Sequence, residues 1–185
     1  HNIYAFGNDE QKKKYIPKLA NSEWIGCMGL TEPGSGSDAA SMRTTAVKKG
    51  DRYILNGSKT FITNAPVSDV FVIFANVDHS KKHEGITAFI IEKGAKGLST
   101  GKPFHKLGCR CSATSEVFLE DCEVPEENVL GGEVNIGRGV QVLDPAAFGG
   151  TAAFERQMRW IADACHGATP RPGVERVRLP GERAM

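Results

Sequence analysis

Apolar residues gather along this chain in short runs, separated by glycine, proline and polar turns. Residues 24–30 open with such a run, Trp24-Ile25-Gly26-Cys27-Met28-Gly29-Leu30, of a length suited to one buried strand. Residues 70–76 and 85–92 are two more runs, read as a pair across the polar loop 78–84. Residues 51–55 and 58–63 flank Asn56-Gly57, a dipeptide suited to a type I′ hairpin turn because both turn positions need positive φ. Residues 115–120 are rich in strand formers. Gly94, Gly97, Pro103 and Gly108 break the chain between runs. This texture predicts a mainly β fold, an antiparallel sandwich or barrel over residues 21–135.

The two ends read differently. Residues 9–20 predict a helix, with Asn8 as N-cap, acids in the first turn and lysines after them. Pro17 should end that helix or open a new turn. Residues 1–20 are thus a short helical segment. Beyond about residue 144 no firm period survives. Residues 154–165 fit a helix, but 167–185 are crowded with Arg, Pro and Gly and would not build a core. Residues 136–185 are expected to be a poorly defined helical or disordered tail.

Composition narrows the function. Twenty-three Lys and Arg against 22 Asp and Glu leave a net charge of +1, which draws the chain to neither nucleic acid nor membrane. No apolar run approaches membrane-spanning length. The five cysteines, at 27, 109, 111, 122 and 165, are odd in number and irregular in spacing, so no disulfide framework is expected. Cys109-Arg110-Cys111 is too tight for the usual zinc pairs, and no metal site is expected. Reduced thiols fit the cytoplasm of a bacterium or a mitochondrial matrix. The chain opens on His1 in what reads as the middle of a helix, so a fragment is expected.

The candidate chemistry lies just after the first run, in Thr31-Glu32-Pro33-Gly34-Ser35-Gly36-Ser37-Asp38. Gly34 and Gly36 would allow positive φ and close ligand approach, Pro33 stiffens the turn, and its amides could converge on an anion. In residues 58–63, Phe61 and Thr63 lie two apart and so share a face, able to present a ring and a hydroxyl to one ligand.

These segments resemble the acyl-CoA dehydrogenase family. Its flavin-binding signature, Thr/Ser-Glu-Pro-x-x-Gly-Ser-Asp after a strand, matches residues 31–38. Its aromatic-Ile-Thr-Asn motif matches Phe61-Ile62-Thr63-Asn64. Its Lys-Leu-Gly turn and later acidic Val-Pro strand end match Lys106-Leu107-Gly108 and Glu120-Asp121-Cys122-Glu123-Val124-Pro125. The three motifs stand in the family's order, and the resemblance runs from about Asn2 to Leu143.

The resemblance implies an FAD-dependent enzyme that desaturates an acyl-CoA thioester between Cα and Cβ, passes electrons to an electron-transferring flavoprotein and works as a homo-oligomer. It divides the chain into the end of an N-terminal helical domain (1–20), a middle β domain (21–135) and the truncated, disrupted start of a C-terminal helical domain (136–185), expected to be a frameshifted or error-laden copy. It assigns flavin contacts to Met28, Leu30, Thr31, Gly36, Ser37, Phe61, Ile62 and Thr63. Thr31 would lie near the flavin's reactive edge, Phe61 against the ring, and Thr63 would donate toward N5. Ser37 would touch flavin phosphate or the CoA part of the substrate. The catalytic base would be Glu155, or a glutamate beyond residue 185. The chain alone is expected to be inactive. The alternatives are a non-catalytic flavin- or CoA-binding β module and an acyl-CoA oxidase of the same fold.

Overall fold

A computed structural model describes residues 1–131, the side chains at 82 and 83 excepted. The expectations for 136–185, Glu155 among them, lie outside the described residues. Two helices precede eight strands: α1 (Asn2–Phe6), α2 (Asp9–Ala20), β1 (Gly26–Gly29), β2 (Thr45–Lys49), β3 (Arg52–Thr63), β4 (Val70–Asn76), β5 (Ile86–Glu92), β6 (Leu98–Thr100), β7 (Thr114–Pro125) and β8 (Val129–Leu130). They form one mixed sheet in the order β6-β7-β3-β2-β4-β5-β8, with β1 also on β4. Most pairings are antiparallel, as expected. The β1–β4 pairing is parallel, and so is the single contact of β2 with β4, Thr45 opposite Asn76.

β4, Val-Phe-Val-Ile-Phe-Ala-Asn, is buried at every position. That is why it reads as an unbroken apolar run and not as an alternation. Its Phe71, Ile73 and Ala75 join Leu55, Ile62, Phe89, Val117 and Leu119 in a core shared by both wings of the sheet. Its Val70, Val72 and Phe74 turn the other way and meet Ile3, Tyr15, Ile86 and Ile90, with Ile16 and Leu19 packed alongside. Each fully buried Val, Leu, Ile or Phe among them contributes about 1.5–3 kcal/mol by leaving water. The helices are therefore seated on the back of β4 and β5.

α2 is capped as expected, and more fully. Asn8 accepts from the Gln11 amide at 2.8 Å, and the Gln11 side chain accepts from the Asn8 amide at 3.1 Å. Gln11 then donates to the carbonyls of Glu127 and Val129, pinning the helix to the strand that follows. Pro17 does not end the helix. The lost hydrogen bond and ring clash are outweighed by packing on either side of it, where Ile16 and Leu19 meet the sheet. Tyr15, 1% exposed, donates to Glu92 at 2.8 Å, and Lys14 reaches the same oxygen at 2.6 Å. Burial, then the Glu92 contact, pushes the Tyr15 phenol up to about 12. The hydrogen bond from Lys14 outweighs desolvation and holds the Glu92 carboxyl below its ordinary value.

The hairpin expected at Asn56-Gly57 is not there. β3 runs straight through both residues, and the chain turns instead at Gly50-Asp51, where Lys49 faces Arg52 and Gly50 has φ +64°. Asn56-Gly57 serves a different end. A Cβ on Gly57 would sit 2.5 Å from the Thr44 hydroxyl, so glycine is needed for close approach. Asn56 bonds across to Asp121, donating at 3.1 Å and accepting the Asp121 amide at 2.8 Å. The β3–β7 register shifts there, between Leu55 and Gly57, with Asp121 at φ +49°; it shifts again between Lys59 and Ile62, with Phe61 at φ +57°. Both are β-bulges, which bend a strand and re-aim a side chain.

Two predictions follow from this packing. The Thr87 hydroxyl is buried with no hydrogen-bond partner among the described residues. Thr87→Val should therefore raise stability by about 1 kcal/mol, read by urea denaturation. Second, a lowered Glu92 pKa means a stabilising contribution that is full above its ordinary value of 4.5 and lost as pH falls through the folded value. The difference in Tm between the parent chain and Glu92→Gln should shrink toward zero as the pH is taken below 4.5.

Candidate functional site

A cavity of about 680 Å³ opens between the helices and the ends of β1, β3 and β4. Its size is that of a small-molecule site. Met28, Leu30, Thr31, Phe61, Ile62 and Thr63 all line it, brought together from two segments thirty residues apart in sequence. Gly36 and Ser37 do not: both are exposed on the far part of the loop. Sequence reasoning missed the helix-borne wall, Asn2, Ile16 and Leu19. Only the three-residue spacing of Ile16 and Leu19 hints at it. Asn2 also donates to the Met28 sulfur at 3.3 Å, tying α1 to the rim.

The loop after β1 closes on itself. Glu32 and Ser35 exchange backbone hydrogen bonds of 2.9 and 3.1 Å, and the Ser35 hydroxyl donates to the Asp38 carbonyl. Neither Gly34 nor Gly36 has positive φ, contrary to expectation. Pro33 supplies the turn's φ, and such a turn needs no left-handed residue. A Cβ on either glycine would meet nothing within 4 Å, so the loop's outer side is open. The Glu32 and Ser35 amides are spent on each other and cannot bind an anion.

Beneath the loop lies a buried ion pair. The Lys59 ammonium stands 2.7 Å from Glu32, their side chains 0% and 5% exposed. Glu32 also accepts from the Arg43 and Thr44 amides and the Thr44 hydroxyl. Burial works against its charge, but these donors prevail and hold its carboxyl below the usual carboxylate range. Burial likewise weighs the Lys59 ammonium downward, against the pull of Glu32. Removing one member alone would strand a buried charge at a cost of about 3–5 kcal/mol. Lys59 further donates to the Leu30 carbonyl at 3.2 Å, and the Thr60 amide donates to the Thr31 carbonyl at 2.9 Å. The loop and β3 are thereby locked together directly behind the cavity wall.

At the mouth, the β3 bulge holds Phe61 in the left-handed region, 69% exposed, against Phe104 at 5.6 Å between ring centroids. A bulky residue there stores strain, of the kind that collects at ligand sites. Ile62 is buried and Phe61 and Thr63 face outward, so the expected sharing of a face holds, set by the bulge and not by a hairpin. The Cys27 thiol lines the floor and is pushed up to about 11 by burial, which leaves it protonated and unreactive near neutrality.

Comparison with known proteins agrees with this layout. The family model for the acyl-CoA dehydrogenase middle domain matches residues 27–122. The chain is 49% identical over 161 residues to a short-chain specific acyl-CoA dehydrogenase of Clostridium acetobutylicum, covering 87% of this chain and 42% of the relative. Butyryl-CoA dehydrogenase from Megasphaera elsdenii superposes with a TM-score of 0.73 at 41% identity, over 82% of this chain and 40% of that one. An acyl-CoA dehydrogenase complexed with FAD from Bacillus anthracis gives 0.67 at 48% identity, over 75% and 23%. The chain spans about two fifths of the length of the Clostridium relative. With a cavity walled by the signature loop and by the Phe-Ile-Thr-Asn strand end, and with the middle-domain model matched across that wall, this chain belongs to the acyl-CoA dehydrogenase family.

Proposed function

We propose that this chain supplies the flavin-facing wall of an FAD-dependent acyl-CoA dehydrogenase, which desaturates an acyl-CoA thioester between Cα and Cβ. The observation that carries the reading is the convergence of Thr31, Phe61 and Thr63 on one cavity. Its chemistry fits a flat, amphipathic ring. Met28 and Phe61 offer apolar surface that water would otherwise wet, and Thr31 and Thr63 put hydroxyls at the edge. FAD, when bound, accepts the hydride, so the protein need only bind, orient and keep water out. Phe61 would cover one face of the ring, while Met28 and Leu30 would shield the side toward the helices. The Thr63 hydroxyl would donate toward N5, and the Thr31 hydroxyl and amide would face the ring near the same reactive edge.

Gly36 and Ser37, on the open outer side of the loop, would meet the pyrophosphate or the CoA portion rather than the ring. Glu32 is not the base that removes the α-proton, since its carboxylate is fully engaged with Lys59, Thr44 and Arg43. That base would come from elsewhere, with Glu155 the candidate in this chain. An electron-transferring flavoprotein would take the electrons, in the bacterial cytoplasm or the mitochondrial matrix, and the working protein would be a homo-oligomer.

Incubated with FAD and passed through gel filtration, the chain should carry yellow flavin. Butyryl- or isovaleryl-CoA should give no steady turnover with a dye acceptor. Absence of retained flavin would refute the reading, and sustained turnover would refute the inactivity of the chain alone. Phe61→Gly separates binding from folding: relief of the left-handed strain should leave stability unchanged or raise it by up to about 1 kcal/mol. FAD affinity should meanwhile fall about tenfold, roughly 1.4 kcal/mol, measured by quenching of flavin fluorescence.

A further inference from the structure

We propose that Lys59 and Glu32 are positioning residues for the ligand edge: Lys59 orients the Leu30–Thr31 peptide so that its N–H faces the cavity, and Glu32 holds Lys59 in place. Neither side chain lines the cavity, and both are buried behind it. The argument rests on one peptide plane. In a trans peptide the carbonyl oxygen and the following N–H point in opposite directions. The Leu30 carbonyl is drawn inward by Lys59 at 3.2 Å. The Thr31 N–H must then point outward, and it has no hydrogen-bond partner among the described residues, although Thr31 is half-buried and lines the cavity.

The neighbouring peptide is fixed as well. The Thr31 carbonyl accepts from Thr60, and the Glu32 amide donates to Ser35. The free donor is therefore held from both sides, by Lys59 on the Leu30 carbonyl and by Thr60 on the Thr31 carbonyl. Glu32 supplies the counter-charge without which an ammonium at 0% exposure would not persist. It is itself held by donors from residues 43 and 44, so the lock runs from the segment just before β2 through Glu32 and Lys59 to the cavity edge.

The inference takes its ligand from the flavin reading above, and its test separates the two. Three variants are compared with the parent chain: Lys59→Met, Glu32→Gln and the double variant. Each is followed by thermal melting, by FAD titration and by the amide signal of Thr31 without ligand. The single variants should melt lower, because each leaves one buried partner uncompensated. The double variant removes both charges and should recover most of the melting temperature. Its FAD affinity should stay at least about tenfold weaker than the parent's, because the Leu30 carbonyl has lost its donor. The Thr31 amide shift and exchange rate should change in Lys59→Met and in the double variant, and more than those of Gly34 and Gly36.

A double variant that regains both melting temperature and FAD affinity would make the pair a fold element only and overturn the proposal. So would an unmoved Thr31 amide, or a double variant that does not fold. If the parent chain fails to bind FAD while the Thr31 amide moves as stated, the flavin reading falls and the positioning role stands.

Discussion

Burying a strand on both faces commits everything around it. β4 is apolar at nearly every position and reaches solvent at none, so it needs a layer on each side. One face is covered by the curled sheet and the other by the two helices. The cavity lies where these layers meet at the start of β4. Val70 and Val72 form part of its lining, between helix-borne Ile16 and Leu19 and strand-borne Cys27 and Met28. The parallel pairing of β1 with β4 delivers the signature loop to that junction. The site is thus a by-product of covering one hydrophobic strand twice.

At this junction the fold departs from comfortable chemistry in two places. One is an ion pair removed from water, the other an aromatic residue in a backbone conformation that favours glycine. Lys59 of the pair and Phe61 stand two apart on β3, one inside the wall and one outside. A core built for stability alone would replace the pair with well-packed apolar groups. What the pair adds is direction, since an ammonium with a fixed counter-ion holds a carbonyl in one orientation.

The sequence made much of this readable, for reasons that differ residue by residue. The unbroken run of β4 and its pairing with β5 were legible because a fully buried strand has a distinctive texture. The N-cap of α2 was legible because Asn8 stands directly before Asp9 and Glu10, with lysines following; the reciprocal bond from Gln11 was not. Asn56-Gly57 misled because the same dipeptide serves a tight turn and a place where two backbones nearly touch; only Thr44, distant in sequence, decides between them. Pro17 misled because local propensity was outweighed by tertiary packing. Thr31, Phe61 and Thr63 were recognisable as motif residues. Lys59 was not, since a lysine between polar neighbours reads as solvated until its partner across the sheet is seen.

The two irregularities between β3 and β7 have opposite sign. Between Leu55 and Gly57 the extra residue belongs to β7; between Lys59 and Ile62 it belongs to β3. The second offset cancels the first, and Ile62 and Thr63 meet Ser115 and Thr114 in the alignment that Arg52 and Pro125 began. Only the rungs from Gly57 to Lys59 are displaced, like a dislocation and its annihilating partner a few rungs apart in a crystal. Neither can be deleted alone, because an uncancelled slip would run to the end of the ladder and turn inside faces outward. Within a lineage of such sheets the two defects should be inherited as a couple, kept together or erased together.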